Sequence, residues 1–518
     1  MLPLRYHGGV HLRFPSAVTE KTNRRCRDLP RWLRRCGACA ALALLLPSVA
    51  LPFGAEDLPD LGESARAEMP QQLERRIGES IMNDIRLRES TYIDDPDVND
   101  YLARLGGKLV EASSSPSGDF HFFALRDPSI NAFAMFGGYI GVNSGTLLSS
   151  QSESELAGVI AHEIAHITQS HLARQIAREK QNTIPMMVAM AMGILAARSN
   201  ANVGAATVAA TQAGAIQSYL AYSRDFEREA DRMGYQTLDK AGFDVRGMGD
   251  FFDRLQKAGR LYDYNAPVYL RSHPMTLERM SDMQSRAQDA PYRQVVSSLD
   301  FHLIRAKLKA QSGTPSEAIR EFSNQLREKK YASLPAVHYG LAVAHMRNQD
   351  VAAAQREVDT LRTLKAASSS PILYALAAEV RAAQGDFEGA QSLYRDGMQR
   401  YPQAKALVYG YAEALYAAKQ YEKAQLFLDN QLQLRPSDYK LHGLQARNYA
   451  AQGKRLQQHR AQAEFYMLQG QLGQAVEQLQ YAQQATDGNF YEQSAVDARL
   501  RELRRLQAEE AKLRRGGL

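Results

Sequence analysis

His162, Glu163 and His166 form a His-Glu-x-x-His motif inside the stretch Leu156 to Ala177. Residues four apart on an α-helix share a face, roughly 5–6 Å apart at Cβ. Two imidazoles so spaced can hold one divalent cation, with Glu163 beside them to take a proton from a water. Ser152 followed by Glu155 predicts a capping box at the start of that helix. Leu156, Val159, Ile160, Ile164 and Ile167 supply an apolar face, so the stretch reads as one buried helix. Two buried histidines need polar partners, and a metal is one.

A catalytic zinc takes three protein ligands and leaves one position open. The third candidate lies in Ser223 to Gly234, SRDFEREADRMG, where Glu227 and Asp231 are four apart on a helical pattern and share a face. Glu227 is the candidate ligand. Asp231 is suited to orient a ligand imidazole from behind. Asp225 and Glu229 are the nearby alternatives, which point elsewhere if Glu227 points inward. An extended motif with a histidine as third ligand is excluded, because its glycine and histidine positions hold Gln169 and Leu172. His171 is one residue off that spacing and reads as incidental or structural. Further on, His273 precedes Pro274. A residue before proline is held extended, which suits a histidine projecting from a loop, toward the metal or simply toward solvent.

The elements around these residues change character along the 518-residue chain. Residues 1–50 carry nine Lys/Arg against Glu20 and Asp28. Without them the chain has 54 basic and 55 acidic residues, so the formal charge of +6 belongs to this leader and predicts no nucleic-acid partner. Its arginines, the apolar run Gly37 to Leu46 and the small residues Ser48-Val49-Ala50 predict a cleaved secretory signal. Cys26, Cys36 and Cys39 all fall in it. The remainder has no thiolate to offer, so a zinc site must be built from His, Asp and Glu.

Residues 65–112 read as two helices, with Asp95-Pro96-Asp97 starting the second. Phe120 to Leu125 and Gly138 to Val142 read as strands. Asn131 to Ala134 lies between them, extended, where a peptide substrate can add as a further strand. Ile184 to Ala197 is apolar but short for a membrane span, and Val203 to Ile216 is Ala-rich. The pair reads as core helices, as a lid or as a peripheral membrane contact. From Phe301 turn signals recur at Gly313, Gln349, Gly385, Lys419 and Gly453, at intervals of 36, 36, 34 and 34 residues. Ala318/Phe322, Ala390/Tyr394/Pro402 and Ala424/Leu428/Pro436 match the tetratricopeptide pattern. Such repeats build concave binding surfaces. The histidines within them, His302, His338, His345, His442 and His459, lack metal spacing and read as packing or surface residues.

HEIAH, SRDFEREADRMG and the upstream GGYIGVNSG together resemble the secreted branch of the HtpX-type zinc metallopeptidases. The resemblance covers residues 65–290. It implies His162, His166 and Glu227 as ligands of one Zn2+ per chain, Glu163 as catalytic base and Asp231 as its acidic partner. His273-Pro274 with Arg279 resembles a further motif of this branch. The order of signal, peptidase, His-Pro motif and repeats is similar to a family of Gram-negative periplasmic proteases. That similarity implies unfolded or misassembled outer-membrane proteins as substrates and the β-barrel assembly machinery as a partner of the repeats. The alternative is a chaperone or scaffold whose protease is mostly silent.

The expected architecture is mostly α. A zincin-like α+β metallopeptidase domain with a small sheet occupies residues 56–296, after the signal at 1–50. An α-solenoid of tetratricopeptide repeats occupies residues 297–505. His273 is expected either to close the metal site at rest, as a regulatory fourth ligand, or to donate to the oxyanion during catalysis.

Overall fold

The computed structural model describes residues 69–178, 223–260, 268–291, 293–366 and 369–515. The expected signal and the apolar stretches at 184–197 and 203–216 lie outside them. Two helices come first, α1 (Gln71–Arg88) and α2 (Pro96–Ala112). Asp95 caps α2, accepting from the amides of Asp97 at 3.0 Å and Val98 at 3.2 Å. Pro96 fills the first turn, where a missing N–H costs nothing.

A three-stranded sheet follows, built from β1 (His121–Leu125), β2 (Ala132–Ala134) and β3 (Tyr139–Asn143). The order is β1-β3-β2, with β1 parallel and β2 antiparallel to the central β3. Every residue of β3 is buried. The segment expected to lie extended between the two longer strands is β2, an edge strand of this sheet that packs on the helix carrying the His-Glu-x-x-His motif.

That helix is α4 (Glu153–Thr168), reached through the short α3 (Ser144–Ser149). Ser152 caps it, accepting from Glu155 N at 3.2 Å. Only half of the expected capping box forms. The Glu155 carboxylate reaches the amide of Gln151 at 2.6 Å and pairs with Arg254 instead of returning to Ser152. Every residue from Glu153 to His166 is buried, so α4 is enclosed on all sides and not on one apolar face. Its neighbours are α6 (Arg224–Lys240) and α7 (Arg246–Arg260). Both approach closely at glycine. A Cβ on Gly158 would stand 2.9 Å from Met248 Cα, and one on Gly234 3.1 Å from the His162 backbone.

The stretch from Leu156 to Ala177 is two helices where one was expected. Thr168 ends α4, Ser170 takes a left-handed φ of 52°, and α5 (His171–Arg178) starts in a new direction. Such a turn is unfavourable for a residue with a Cβ and is held by the contacts His171 makes, described below. Two further helices, α8 (Val268–Ser272) and α9 (Leu277–Asp289), complete this part.

Twelve helices follow among the described residues. They are α10 (Leu299–Ala310), α11 (Pro315–Glu328), α12 (Leu334–Arg347), α13 (Val351–Thr363), α14 (Pro371–Ala383) and α15 (Phe387–Arg400). Then come α16 (Lys405–Ala417), α17 (Tyr421–Leu434), α18 (Tyr439–Ala451), α19 (Arg455–Leu468), α20 (Leu472–Gln484) and α21 (Phe490–Arg515). All five sequence turn signals carry a residue of positive φ, between 58° and 81°. The pattern residues Ala318, Phe322, Ala390, Tyr394, Ala424 and Leu428 are buried between the helices.

One apolar cluster runs without a break from Ile93 and Leu102 in the first part to Leu341 and Val380 in the repeats. Polar ties cross at the same place. The buried Glu153, first residue of α4, accepts from Ser298 N at 2.8 Å and from its hydroxyl at 2.7 Å, and so anchors the N-cap of α10 to the motif helix. Lys307 reaches Asp97 at 2.7 Å, and farther along the repeats Tyr439 bonds Asp94 at 2.8 Å. Among the described residues no helix is long and apolar enough to cross a membrane.

Two glycines of the helices give opposite tests of this packing. Gly158→Ala drives a methyl into the α7 backbone and is expected to lower stability by about 1–3 kcal/mol. Gly107→Ala meets nothing within 4 Å and is expected to raise it by roughly 0.5–1 kcal/mol through helix propensity. Equilibrium guanidinium unfolding of the two variants checks both signs.

Candidate metal centre

Four side chains from three places converge. His162 and His166 come from α4, Glu227 from α6, and His273 from the loop after α8. None of the four exposes more than 1% of its surface. The close crossing at Gly234 seats α6 on the His162 backbone. Seven residues earlier, on the same face, α6 delivers Glu227. His273 is set by a hydrogen bond of 2.8 Å from its own amide to the Tyr269 carbonyl and by stacking on the Tyr269 ring, centroids 4.5 Å apart.

The converging atoms have the spacing of a coordination shell. His162 Nε2 lies 3.0 Å from His166 Nε2, 3.3 Å from His273 Nδ1 and 3.5 Å from Glu227 Oε2. Glu227 Oε1 lies 3.0 Å from His273 Nδ1 and 3.4 Å from His166 Nε2. Ligands about 2.0–2.1 Å from a tetrahedral zinc stand about 3.3 Å apart. Charge agrees with geometry. Glu163, Glu227 and Asp231 are buried carboxylates, and Arg279 is the buried guanidinium among them. Ligation takes the imidazoles in their neutral form, and counted so the three carboxylates and Arg279 leave two formal negative charges, which one divalent cation balances. Among the described residues this is the one such group.

Glu163 is fully buried beside the cluster and is not part of it. Its Oε1 is 3.5 Å from His273 Nε2 and 3.4 Å from the Tyr269 hydroxyl. Its Oε2 is buried and has no hydrogen-bond partner among the described residues. Burial, then the nearby Glu163 charge, holds the Tyr269 phenol well above its ordinary range, so it stays a donor.

The outer nitrogens of the two motif histidines face different partners. His162 Nδ1 is 3.0 Å from Asp231 Oδ1. Asp231 in turn accepts from Arg279 Nε at 2.6 Å and Nη2 at 2.7 Å. The same guanidinium reaches Glu227 Oε2 at 2.8 Å and the Pro274 carbonyl at 2.7 Å, so it ties α6 to the His273 loop. His166 Nδ1 is 2.9 Å from His171 Nδ1. His171 Nε2 lies 3.2 Å from Glu229 Oε2, which also accepts from Arg174 at 2.9 Å.

Electrostatics separate these groups. Burial works to lower His162, but Asp231 and Glu227 outweigh it and hold it up to about 9. Burial prevails at His166 and His171, both pushed down to about 3. Burial also works to raise Glu227 and Asp231. For Glu227 it is overcome by His273 and by hydrogen bonds from His162, His166 and His273, which hold the carboxyl well below its usual range. For Asp231 it is overcome by His162 and Arg279.

All six residues singled out from sequence are thus in contact here. The alternatives lie elsewhere: Asp225 is exposed and pairs with Arg228, and Glu229 serves His171. His338 and His459 in the repeats bond Glu357 and Gln478. The sequence reading names Arg279 only as part of a motif with His273-Pro274, takes His171 as incidental or structural, and does not single out Tyr269. A five-residue spacing from His166 is not a helical one, so only the break at Ser170 makes His171 visible as a neighbour.

The peptidase family M48 model matches residues 96–287, and a tetratricopeptide repeat model matches residues 381–447. The chain is 31% identical over 476 residues to the beta-barrel assembly-enhancing protease of Escherichia coli K12, covering 90% of this chain and 95% of that protein. A Vibrio cholerae relative, given the same name provisionally, is 38% identical over 311 residues, 59% of this chain and 64% of its own length. The metalloprotease LoiP of Escherichia coli K12 is 29% identical over 159 residues, 30% of this chain and 58% of that protein.

Arg279 offers a direct test of the centre's construction. Arg279→Leu leaves Asp231 and Glu227 buried without their cation, and breaking one side of a buried ion pair costs about 3–5 kcal/mol. A large fall in the melting temperature of the metal-free protein is expected. Arg228→Ala, at an exposed pair, is expected to leave the melting temperature essentially unchanged.

Proposed function

This chain belongs to peptidase family M48, in the group of beta-barrel assembly-enhancing proteases, and we propose that it is a periplasmic zinc endopeptidase in the quality control of outer-membrane protein assembly. Its substrates in this reading are unfolded or misassembled outer-membrane proteins, and its repeats dock on the assembly machinery. The observation that carries the reading is the cluster of His162, His166, Glu227 and His273, with distances between the converging atoms of 3.0 to 3.5 Å, beside a buried Glu163 oxygen that lacks a hydrogen-bond partner among the described residues.

His162, His166 and Glu227 would hold one zinc per chain. Bound there, zinc supplies a Lewis acid that polarises a scissile carbonyl and acidifies a water. Glu163 takes the proton of that water through Oε2 and passes it to the leaving amine. Asp231 keeps the His162 proton on Nδ1, which leaves the Nε2 lone pair free for the metal. The Tyr269 hydroxyl remains a donor beside Glu163. A peptide in extended form adds along β2, the edge strand that packs against α4.

His273 closes the centre at rest. A catalytic zinc site keeps one position open, and a site with four protein ligands is a closed one. His273 Nδ1 stands 3.0 Å from Glu227 Oε1 and 3.3 Å from His162 Nε2 with its ring buried, so it would hold a bound zinc as a fourth ligand, and a substrate carbonyl would reach the centre only when the loop holding His273 moves. A protease in a compartment without ATP is then silent until something displaces that loop. The same closure favours the second reading, a scaffold with a mostly silent protease. Full complementation of a deletion by Glu163→Gln would make the scaffold role the dominant one.

Glu163→Gln is expected to keep zinc and fold while cleavage falls by about 10²-fold or more. His273→Ala is expected to raise cleavage of a casein-like unfolded substrate at equal zinc occupancy. Steady-state assays with zinc quantified in each preparation check both. A fall of roughly 10²-fold in His273→Ala with zinc retained would instead make His273 an oxyanion donor.

A further inference from the structure

His171 reads as incidental or structural in sequence, yet it is among the most enclosed polar side chains of the described residues, with none of its surface exposed. Its place depends on the break between α4 and α5. On a continuous helix a residue five positions after His166 would lie about 140° around the axis and face away from it. Ser170, at φ 52°, turns the chain so that His171 comes back beneath the second motif histidine.

The hydrogen bonds there admit one consistent arrangement of protons. His166 Nε2 points into the ligand cluster, 3.0 Å from His162 Nε2 and 3.4 Å from Glu227 Oε1. A ligating Nε2 needs its lone pair, so the proton of a neutral His166 sits on Nδ1. Nδ1 then donates to His171 Nδ1 at 2.9 Å. With that atom accepting, His171 carries its own proton on Nε2, which donates to Glu229 Oε2 at 3.2 Å. Arg174 donates to the same oxygen at 2.9 Å and completes the run.

The seat for His171 comes from the helix that delivers the third candidate ligand. Phe226, next to Glu227, stacks on the His171 ring with centroids 4.6 Å apart and planes 15° apart. Glu229 lies two residues beyond Glu227 on that helix. His162 and His166 are therefore held differently. One faces a carboxylate directly, 3.0 Å away, and the other reaches a carboxylate through a second imidazole.

We propose that His171 is a positioning residue for the metal centre, fixing the ring orientation and the Nδ1–H tautomer of His166 and passing that ring's outer hydrogen bond on to Glu229. The proposal rests on the reading of the cluster as a metal site. Outer partners of ligand histidines typically contribute 10- to 100-fold to metal affinity.

The test uses the full chain and zinc affinity measured by chelator competition, with far-ultraviolet circular dichroism and melting of the metal-free protein as controls of fold. His171→Leu keeps bulk and burial but removes the acceptor, and it is expected to weaken zinc binding by about 10- to 100-fold. It is also expected to shift the visible spectrum of the Co2+-substituted protein. His171→Asn, whose Oδ1 can stand near the lost Nδ1, is expected to recover most of the affinity. Glu229→Ala, at a partly exposed carboxylate, leaves the core intact and is expected to lose affinity several-fold, which keeps the test open if His171→Leu does not fold. Wild-type affinity in both His171→Leu and Glu229→Ala overturns the proposal, as does an Asn variant no better than Leu. A wild-type chain that binds neither Zn2+ nor Co2+ overturns the metal-site reading itself, and this proposal with it.

Discussion

One buried guanidinium holds the centre together. Arg279 lies between Asp231 and Glu227, with 1% of its side chain exposed, and its remaining donor takes the Pro274 carbonyl. A buried cation is tolerated only where carboxylates surround it, and buried carboxylates only where cations do. The constraint acts in both directions here. Arg279 cannot leave without stranding two acids, and α6 cannot shift without stranding Arg279. The orienting carboxylate of His162, the third candidate ligand and the loop bearing His273 are thereby locked to one another. With the imidazoles neutral, as ligation requires, the formal excess of two negative charges in this enclosure suits a divalent cation.

Around that lock the packing is dense where precision matters. The motif helix is buried over its whole face from Glu153 to His166, and two helices approach it at glycine distance. Interiors packed at this density move as units and not by gradual deformation. The His273 loop is different in kind. Its contacts include the Arg279 bond to the Pro274 carbonyl, the His273 amide on the Tyr269 carbonyl, ring stacking on Tyr269 and the approach of His273 Nδ1 to Glu227 Oε1 at 3.0 Å. Three of the four clustered side chains stand on two helices and the fourth, His273, on a loop, so the cluster can open at that loop without disturbing the other three.

The repeats are joined to this centre directly. Glu153 starts the motif helix and at the same time secures Ser298, the cap of the first repeat helix. The apolar cluster continues from the sheet and α4 into the repeat helices. Whatever binds the repeats therefore acts on a surface that shares its core with the helix carrying His162 and His166. Coupling between a docking event and the metal centre has a contiguous physical route in these contacts.

Sequence periodicity determined much of this by itself. The helix of His162 and His166, the shared face of Glu227 and Asp231, the strands at 121–125 and 139–143, and the left-handed turns of the repeats all follow from local rules of spacing and backbone preference. These rules act within a few residues, so they are legible without the fold. The enclosure of α4 on every side, the return of His171 beneath His166 and the ion pairs of Arg279 with two carboxylates were not legible. Each joins residues whose meeting depends on where a chain turns and which helices cross, as at Ser170 and Gly234. Spacing fixed which residues are able to bind a metal. Only the tertiary structure decided that His273 meets them through Nδ1, and that one motif histidine leans on an acid while the other leans on a histidine, because long-range burial and charge pairing choose among faces that local sequence leaves equivalent.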